Sequence, residues 1–448
     1  MKPTLPASDL APVLDRLAAT NAEVTRAFPG DDGRRQPVHT VYGGAQIFKR
    51  DTAARLGALA AAALAEYAPD AATFGGALGL APEITERVHR RVCDKLEREP
   101  VEDFRIDFED GYGNRPDDEE DADAVRTARE TAAGMDDDSL PPFLGIRLKP
   151  LSEDLKRRSL RTLDLYVSAL AAETGGTLPE NFVVTLPKIT SPGQVEAFVA
   201  VLARLEERLG LARPLAFELM IETPQSIFDV DGRIALGGLV RAGGGRCVAA
   251  HFGTYDYTAS CDITAAYQHM THPSCDFARH VMQVALAGTG VWLSDGATNV
   301  LPVAPHRVKP DGPALTAEQV EENRRTVHDA WRLHYGHVRH SLEHAYYQGW
   351  DLHPAHLPTR YAAVYTFFLE GLDAASERLS NFVGKAAQAT LVGDVFDDAA
   401  TGQGLLNFFL RAVNCGAIRE GDAVALTGLT LEEIRGRSFL RILEARRG

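Results

Sequence analysis

The sequence has no long apolar run, no paired cysteines and no surplus of positive charge. No stretch approaches the roughly 20 uncharged apolar residues that a membrane span needs, so no membrane partner is expected. The opening MKPTLPASDLAPVLDRL carries no apolar run after Lys2, which argues against a secretory leader. The five cysteines, Cys93, Cys247, Cys261, Cys275 and Cys415, are scattered and form no CxxC pair. That usage points to reduced thiols and a cytoplasmic location rather than a disulfide framework. Acidic residues outnumber basic ones, 62 to 47, for a formal net charge of −15. A surface of that sign repels nucleic acid and anionic lipid, so neither is an expected partner. Gly75-Gly76 and Gly243-Gly244-Gly245 match neither a P-loop nor a dinucleotide fingerprint, and no G-x-S-x-G elbow occurs.

What is present is an ordinary globular balance, 45% hydrophobic and 24% charged, over 448 residues. That length suits a barrel with appended elements. Short β-rich runs recur at 38–44, 104–113, 142–150, 182–190, 215–225, 247–260, 290–303 and, more weakly, 349–354. Between them lie segments with helical spacing. Residues 52–68 are rich in strong helix formers. Residues 152–174 begin with Ser152 as an expected cap, and residues 191–210 run from Ser191-Pro192 to Gly210. Strands that alternate with helices imply parallel pairing. The expected fold is therefore a (β/α)₈ TIM barrel over 38–358, with an open doubly wound sheet as the competing arrangement. Residues 1–37 are expected to form an N-terminal helical extension with Ser8 as cap. Residues 359–448 form a C-terminal helical region, in which Thr430 and Glu433 set up a capping box. The acidic run 114–124 reads as a loop entering a helix N-terminus.

Charged residues stand where these apolar runs stop: Asp107, Glu109 and Asp110, then Arg147, Lys188, Glu218 and Glu222, Asp256, Asp295, and finally Asp351 and His353. A core strand has no structural need for a charge there, and barrel enzymes place their chemistry at those ends. Glu222 and Asp256, from adjacent strands, are the type of donor pair that holds Mg²⁺. The competing reading for either acid is a helix cap or a loop salt bridge. Arg147, inside GIRLKP, requires a partner for its charge. That partner is either a substrate carboxylate or enolate oxygen, or a buried ion pair with Asp107, Glu109 or Asp110. His334, His337, His340 and His344 lie on one expected helix, without the cysteine or acid that would complete a zinc pattern. His251 is either a base or a core histidine.

These segments resemble, in order, the citrate lyase β-subunit and HpcH/HpaI-type aldolase superfamily, to which malate synthase is related. RIDFEDGYGNRPDDE, GIRLKP, LPKI, MIETP, FGTYDYTAS, LSDGAT and YYQGWDLHPAH each look like a short element of that superfamily. The resemblance spans most of residues 38–358. It implies a magnesium-dependent carbon–carbon lyase or aldolase, with Mn²⁺ as a substitute ion, acting on a 2-oxo or 2-hydroxy acid or its CoA ester. Glu222 and Asp256 would ligate the metal. Arg147 would stabilise the enolate, with Asp107, Glu109 and Asp110 around it. Lys188, Gly253, Thr254, Tyr255 and Asp295 would meet the substrate. The chain departs from the pattern in R-L-K for R-[IV]-N, in Asp351 and Leu352 near the end, and in the insert 260–276. His269, His272 and Asp276 of that insert are expected to shape the pocket. Two other readings stand beside the lyase: a malate-synthase-like Claisen condensation of an acyl-CoA with a 2-oxo acid, and a non-catalytic metabolite-binding barrel. By fold analogy the chain is expected to be a homo-oligomer, with the C-terminal helices as contact.

Overall fold

A computed structural model describes residues 4–30, 32–308, 312–384, 390–392, 395–397, 399–436 and 442. Eight strands follow in chain order: β1 (His39–Gly44), β2 (Asp103–Asp107), β3 (Phe143–Arg147), β4 (Phe182–Leu186), β5 (Ala216–Ile221), β6 (Cys247–Phe252), β7 (Trp292–Ala297) and β8 (Gln348–Asp351). Each pairs in parallel with the next, and β8 pairs with β1 through His39↔Gly349 and Thr40↔Trp350. That pairing closes the barrel and removes the open-sheet alternative.

The outer wall is apolar because alternate strand residues face the helices. Phe104, Ile106, Leu144, Ile146, Val184, Leu219 and Phe252 are all buried there. The lumen is polar. Arg105 on β2 donates to Glu218 on β5 at 2.7 and 2.8 Å and pairs with Asp103. Thr40 donates to Asp103 at 2.8 Å, and His251 Nε2 lies 3.1 Å from Glu218. Glu218 is therefore not at the mouth, where the sequence places it. It sits lower in the lumen as half of a buried ion pair.

Local signals explain the helices unevenly. The helix Pro192–Leu209 starts with proline in its first turn and stops at Gly210 in the left-handed region, the cheapest residue for that conformation. The helix Asp117–Asp136 opens with four acidic residues, whose charge favours its positive end. The Thr430–Glu433 capping box forms, with Glu433 N–H donating to Thr430 at 3.2 Å and Thr430 N–H to Glu433 at 2.7 Å. Ser152 is not a cap: the helix begins at Lys156, and Ser152 only accepts from the Leu155 and Lys156 amides through its carbonyl. Ser8 lies inside its helix, Ala7–Ala27 (α1), behind Pro6. The C-terminal region is not helical throughout. β9 (Thr390–Val392) and β10 (Val395–Asp397) form an antiparallel pair between helices. Its signal is β-branched residues either side of Gly393-Asp394. The expected boundary at 358/359 falls inside the helix Leu357–Glu370, which follows β8 and is buried along most of its length. Among the described residues no helix is long and apolar enough to cross a membrane.

Candidate functional site

The carboxyl ends of β2 to β6 bring one group of charges together. Asp107 and Arg147 are register partners at the ends of β2 and β3. Arg147 is buried and donates to Asp107 from Nε at 2.7 Å and from Nη2 at 2.5 Å. Its Nη1 lies 3.1 Å from Glu109 Oε2. The buried ion pair expected as one of the two alternatives thus exists. It occupies only part of the guanidinium, which carries five N–H donors. Asp107 also accepts from the Glu109 and Gly111 amides at 2.9 and 2.7 Å. A Cβ on Gly111 would stand 2.6 Å from Asp107 Oδ2, so only glycine fits that turn. Burial pushes the Asp107 carboxyl up, but Arg147 and the two amides outweigh it and hold it below the usual range.

Lys188 follows β4 with φ of 50°, in the left-handed region, a strained backbone for a residue that carries a Cβ. Its N–H donates to Glu222 Oε1 at 2.8 Å. Its ammonium lies 2.5 Å from Glu109, 3.4 Å from Asp256 and 3.7 Å from Asp110. Thr223 ties the end of β5 to this loop by donating to the Ile189 carbonyl at 2.7 Å. Glu222 is fully buried against Gly253, where a Cβ would lie 2.5 Å from its Oε2. Burial, Glu109 and Asp256 together push the Glu222 carboxyl up to about 8, against the pull of Lys188 and Arg147. Burial also raises Glu109, with Asp110 adding to it and Arg147 and Lys188 opposing. Lys188 is raised in turn: burial would lower it, but Glu109, Glu222 and Asp256 prevail.

The donor set fits a hard divalent cation. Glu222 and Asp256 offer carboxylate oxygens from neighbouring strand ends, and Glu222 is raised by burial first and by the neighbouring acids Glu109 and Asp256 second. Glu109 Oε2 is buried without a hydrogen bond in proper geometry, despite its nearness to Arg147. Among the described residues no three His, Cys, Asp or Glu close into a complete cage. Such an ion would draw its remaining oxygens from substrate and water, as Mg²⁺ commonly does.

Other expected residues lie elsewhere or are already engaged. Asp295 faces outward from β7 and accepts from Arg279 at 2.9 and 3.1 Å, from Ser341 at 2.5 Å and from the Gly296 amide at 2.8 Å. The Tyr255 hydroxyl donates to the Ala297 carbonyl at 2.7 Å. Thr254 is buried with its hydroxyl unpartnered, directly against Gly296. Asp351 points into the helix layer, to Arg360, His334 and His39. His353 accepts from the Ala355 amide as a helix cap. His337 meets Thr298 at 2.9 Å and His340 meets Asp276 at 2.8 Å, so the helical histidines are structural pins. Within the insert, His272 caps the helix Pro273–Leu286, and Asp276 pairs with Arg279. His269 meets Thr271 at 3.2 Å.

Two aromatic residues escaped the sequence reading. Tyr42 on β1 and Trp350 on β8 lie 4.7 and 5.4 Å from the Arg147 guanidinium and 4.4 Å from each other, centroid to centroid. Trp350 Nε1 is buried without a partner. The signal was an aromatic at an inward position near the end of the first and last β runs. His251 Nδ1 lies 3.3 Å from the Tyr42 hydroxyl, which makes it a member of the lumen network.

The architecture is shared with solved structures. A citrate lyase from Burkholderia xenovorans LB400 is 17% identical, with a TM-score of 0.55 over 87% of this chain and 96% of that one. Protein CitE from Mycobacterium tuberculosis, solved with magnesium, acetoacetate and coenzyme A, is 14% identical, with a TM-score of 0.48 over 85% and 99%. A Haloferax volcanii malate synthase ternary complex with pyruvate and acetyl-CoA is 13% identical, with a TM-score of 0.44 over 92% and 98%. At 17% identity the likeness to the Burkholderia protein is one of fold alone. No curated protein matches the chain. The family described as "Domain of unknown function (DUF6986)" matches residues 17–442, and the chain belongs to it.

Proposed function

We propose that the chain is a magnesium-dependent carbon–carbon lyase or aldolase that acts on a 2-oxo or 2-hydroxy acid or its CoA ester through an enolate. One observation carries the reading. A surplus of buried carboxylate around Glu222 faces a guanidinium, Arg147, with donors to spare, at the carboxyl end of a barrel. Glu222 and Asp256 would hold the cation, which when bound would polarise the substrate carbonyl. Breaking the carbon–carbon bond beside that carbonyl sends its electron pair into an enolate while the departing fragment gives up its hydroxyl proton to solvent and leaves as a carbonyl compound, and Arg147 donates to the oxygen where the enolate charge collects. Asp107 and Glu109 orient Arg147. Lys188 balances Glu109 and Asp256 until the cation arrives. Asp110, more exposed, adds to the negative field beside Lys188. The superfamily resemblance and the shared barrel support the same reading.

The test is a panel of 2-oxo acids, hydroxylated 2-oxo acids and their CoA esters, assayed with and without Mg²⁺. Glu222→Gln is expected to abolish metal-dependent turnover while leaving the fold intact. Undiminished turnover in that variant would end the assignment.

A further inference from the structure

The helix α1, Ala7–Ala27, has no buried residue. A freestanding helix with a proline inside it, Pro12, draws little stability from its own backbone and normally needs a packed face. The sequence of α1 contains such a face. Leu10, Leu14, Leu17, Asn21 and Val24 recur at alternating four- and three-residue steps, the spacing of a coiled-coil seam. Leu10, Leu14, Leu17 and Val24 are 37, 56, 52 and 54% exposed, so none of the described residues covers them. The charged residues Asp9, Asp15, Arg16, Glu23 and Arg26 all fall on the opposite side. Beside the seam stand Ala11, Val13 and Ala18, with Thr20 and Thr25. Both threonines turn their hydroxyls back onto helix carbonyls, at 3.1 and 2.9 Å. The flanks of the seam are therefore effectively apolar.

We propose that this face pairs with α1 of a second copy of the chain, in parallel and in register. Asn21 selects that occupant. A polar amide in an apolar seam is costly against a leucine or valine and is satisfied by its own counterpart. Only a parallel, in-register pair sets Asn21 opposite Asn21. The arm is anchored on the face of the barrel away from the acidic mouth. Gly30 N–H donates to the Gly288 carbonyl at 2.8 Å, and Arg34 lies 5.0 Å over the Trp292 ring at the start of β7. Pairing thus joins two barrels and leaves both mouths open. It forms a closed two-fold dimer rather than a filament.

Sedimentation velocity of the full chain is expected to show a dimer that becomes a monomer in Leu14→Asp/Leu17→Asp, with the barrel's circular dichroism unchanged. These side chains are exposed within one chain, so folding does not depend on them. Leu10→Cys is expected to form a disulfide-linked dimer under mild oxidation, above the background set by the exposed Cys93 and Cys261 of the unmodified chain. A monomeric unmodified chain overturns the proposal, because α1 then has another occupant. So does a dimer that survives the double substitution, which would use another face. Failure of Leu10→Cys to cross-link overturns the parallel register.

Discussion

Two clusters of charge sit one above the other in the barrel, and they differ in how fully their acids are bonded and enclosed. In the lumen, Arg105 is held by both Asp103 and Glu218. Burial pushes Glu218 up, but Arg105 and His251 prevail and hold it far below the usual range. Asp103 is raised, by burial first and then by the charge of Glu218. This lower group is enclosed: Arg105 bonds Asp103 and Glu218, all three are nearly free of solvent, and His251 Nε2 lies 3.1 Å from Glu218 without a hydrogen bond in proper geometry. At the mouth, Asp107, Glu109, Asp110, Glu222 and Asp256 gather around only Arg147 and Lys188, and Glu222 rises to about 8. A cluster whose two carboxylates are both bonded to one buried guanidinium serves the fold. An acid-rich cluster beside an opening marks a place where positive charge is wanted.

Substitutions can break this contrast. The largest effect is expected for Glu222→Gln at the mouth: metal-dependent turnover is lost, while the metal-free protein melts no lower than the unmodified chain at neutral pH. An equal loss of melting temperature would place Glu222 with the structural group. Arg105→Met, in the lumen, leaves Asp103 and Glu218 buried without compensation. It is expected to cost about 3–5 kcal/mol of stability, read by denaturant unfolding. A smaller loss would mean that the lumen admits water. Arg147→Lys keeps the charge but loses the planar fork. It is expected to lower kcat by roughly 10²–10³-fold on any substrate the panel identifies, with a much smaller change in KM.

The last effect is a slope. Glu222 has an unfolded-state value near 4.5 and a folded value of about 8, so between these the folded state holds the extra proton. Stability in chelator is therefore expected to fall as pH rises through that window, with the penalty complete above about 8. Glu222→Gln should flatten the slope, and saturating Mg²⁺, which keeps Glu222 unprotonated in the folded state, should remove it. A melting curve for the unmodified chain that is flat across this range would refute the raised carboxyl.

The sequence and the structure agree where a local rule governs. The eight β-rich runs are the eight barrel strands, because period-2 and helical spacing are properties of short windows. The capping box at Thr430 and the stop at Gly210 are likewise local. Disagreement concentrates where facing matters. LSDGAT promises an acid at a strand end, but β7 shifts register between Ser294 and Ala297, and Asp295 emerges on the outer side to meet Arg279. Glu218 and Glu222 look equivalent in LAFELMIETP, yet four residues along a strand separate a lumen ion pair from the mouth. The aromatic cover of Arg147 comes from β1 and β8, the two ends of the barrel sequence, and only closure brings Tyr42 and Trp350 together.

The residue pattern alone thus determined the alternation of strands and helices, the acidic character of the chain and the identity of the charges at the strand ends. These depend on nearest neighbours along the backbone. Tertiary structure decided which charges are neutralised, which carboxyl is forced up and which helix is left without cover. Those outcomes depend on burial and on distances between residues far apart in sequence, and electrostatic energy in a low-dielectric interior changes steeply over a few ångströms.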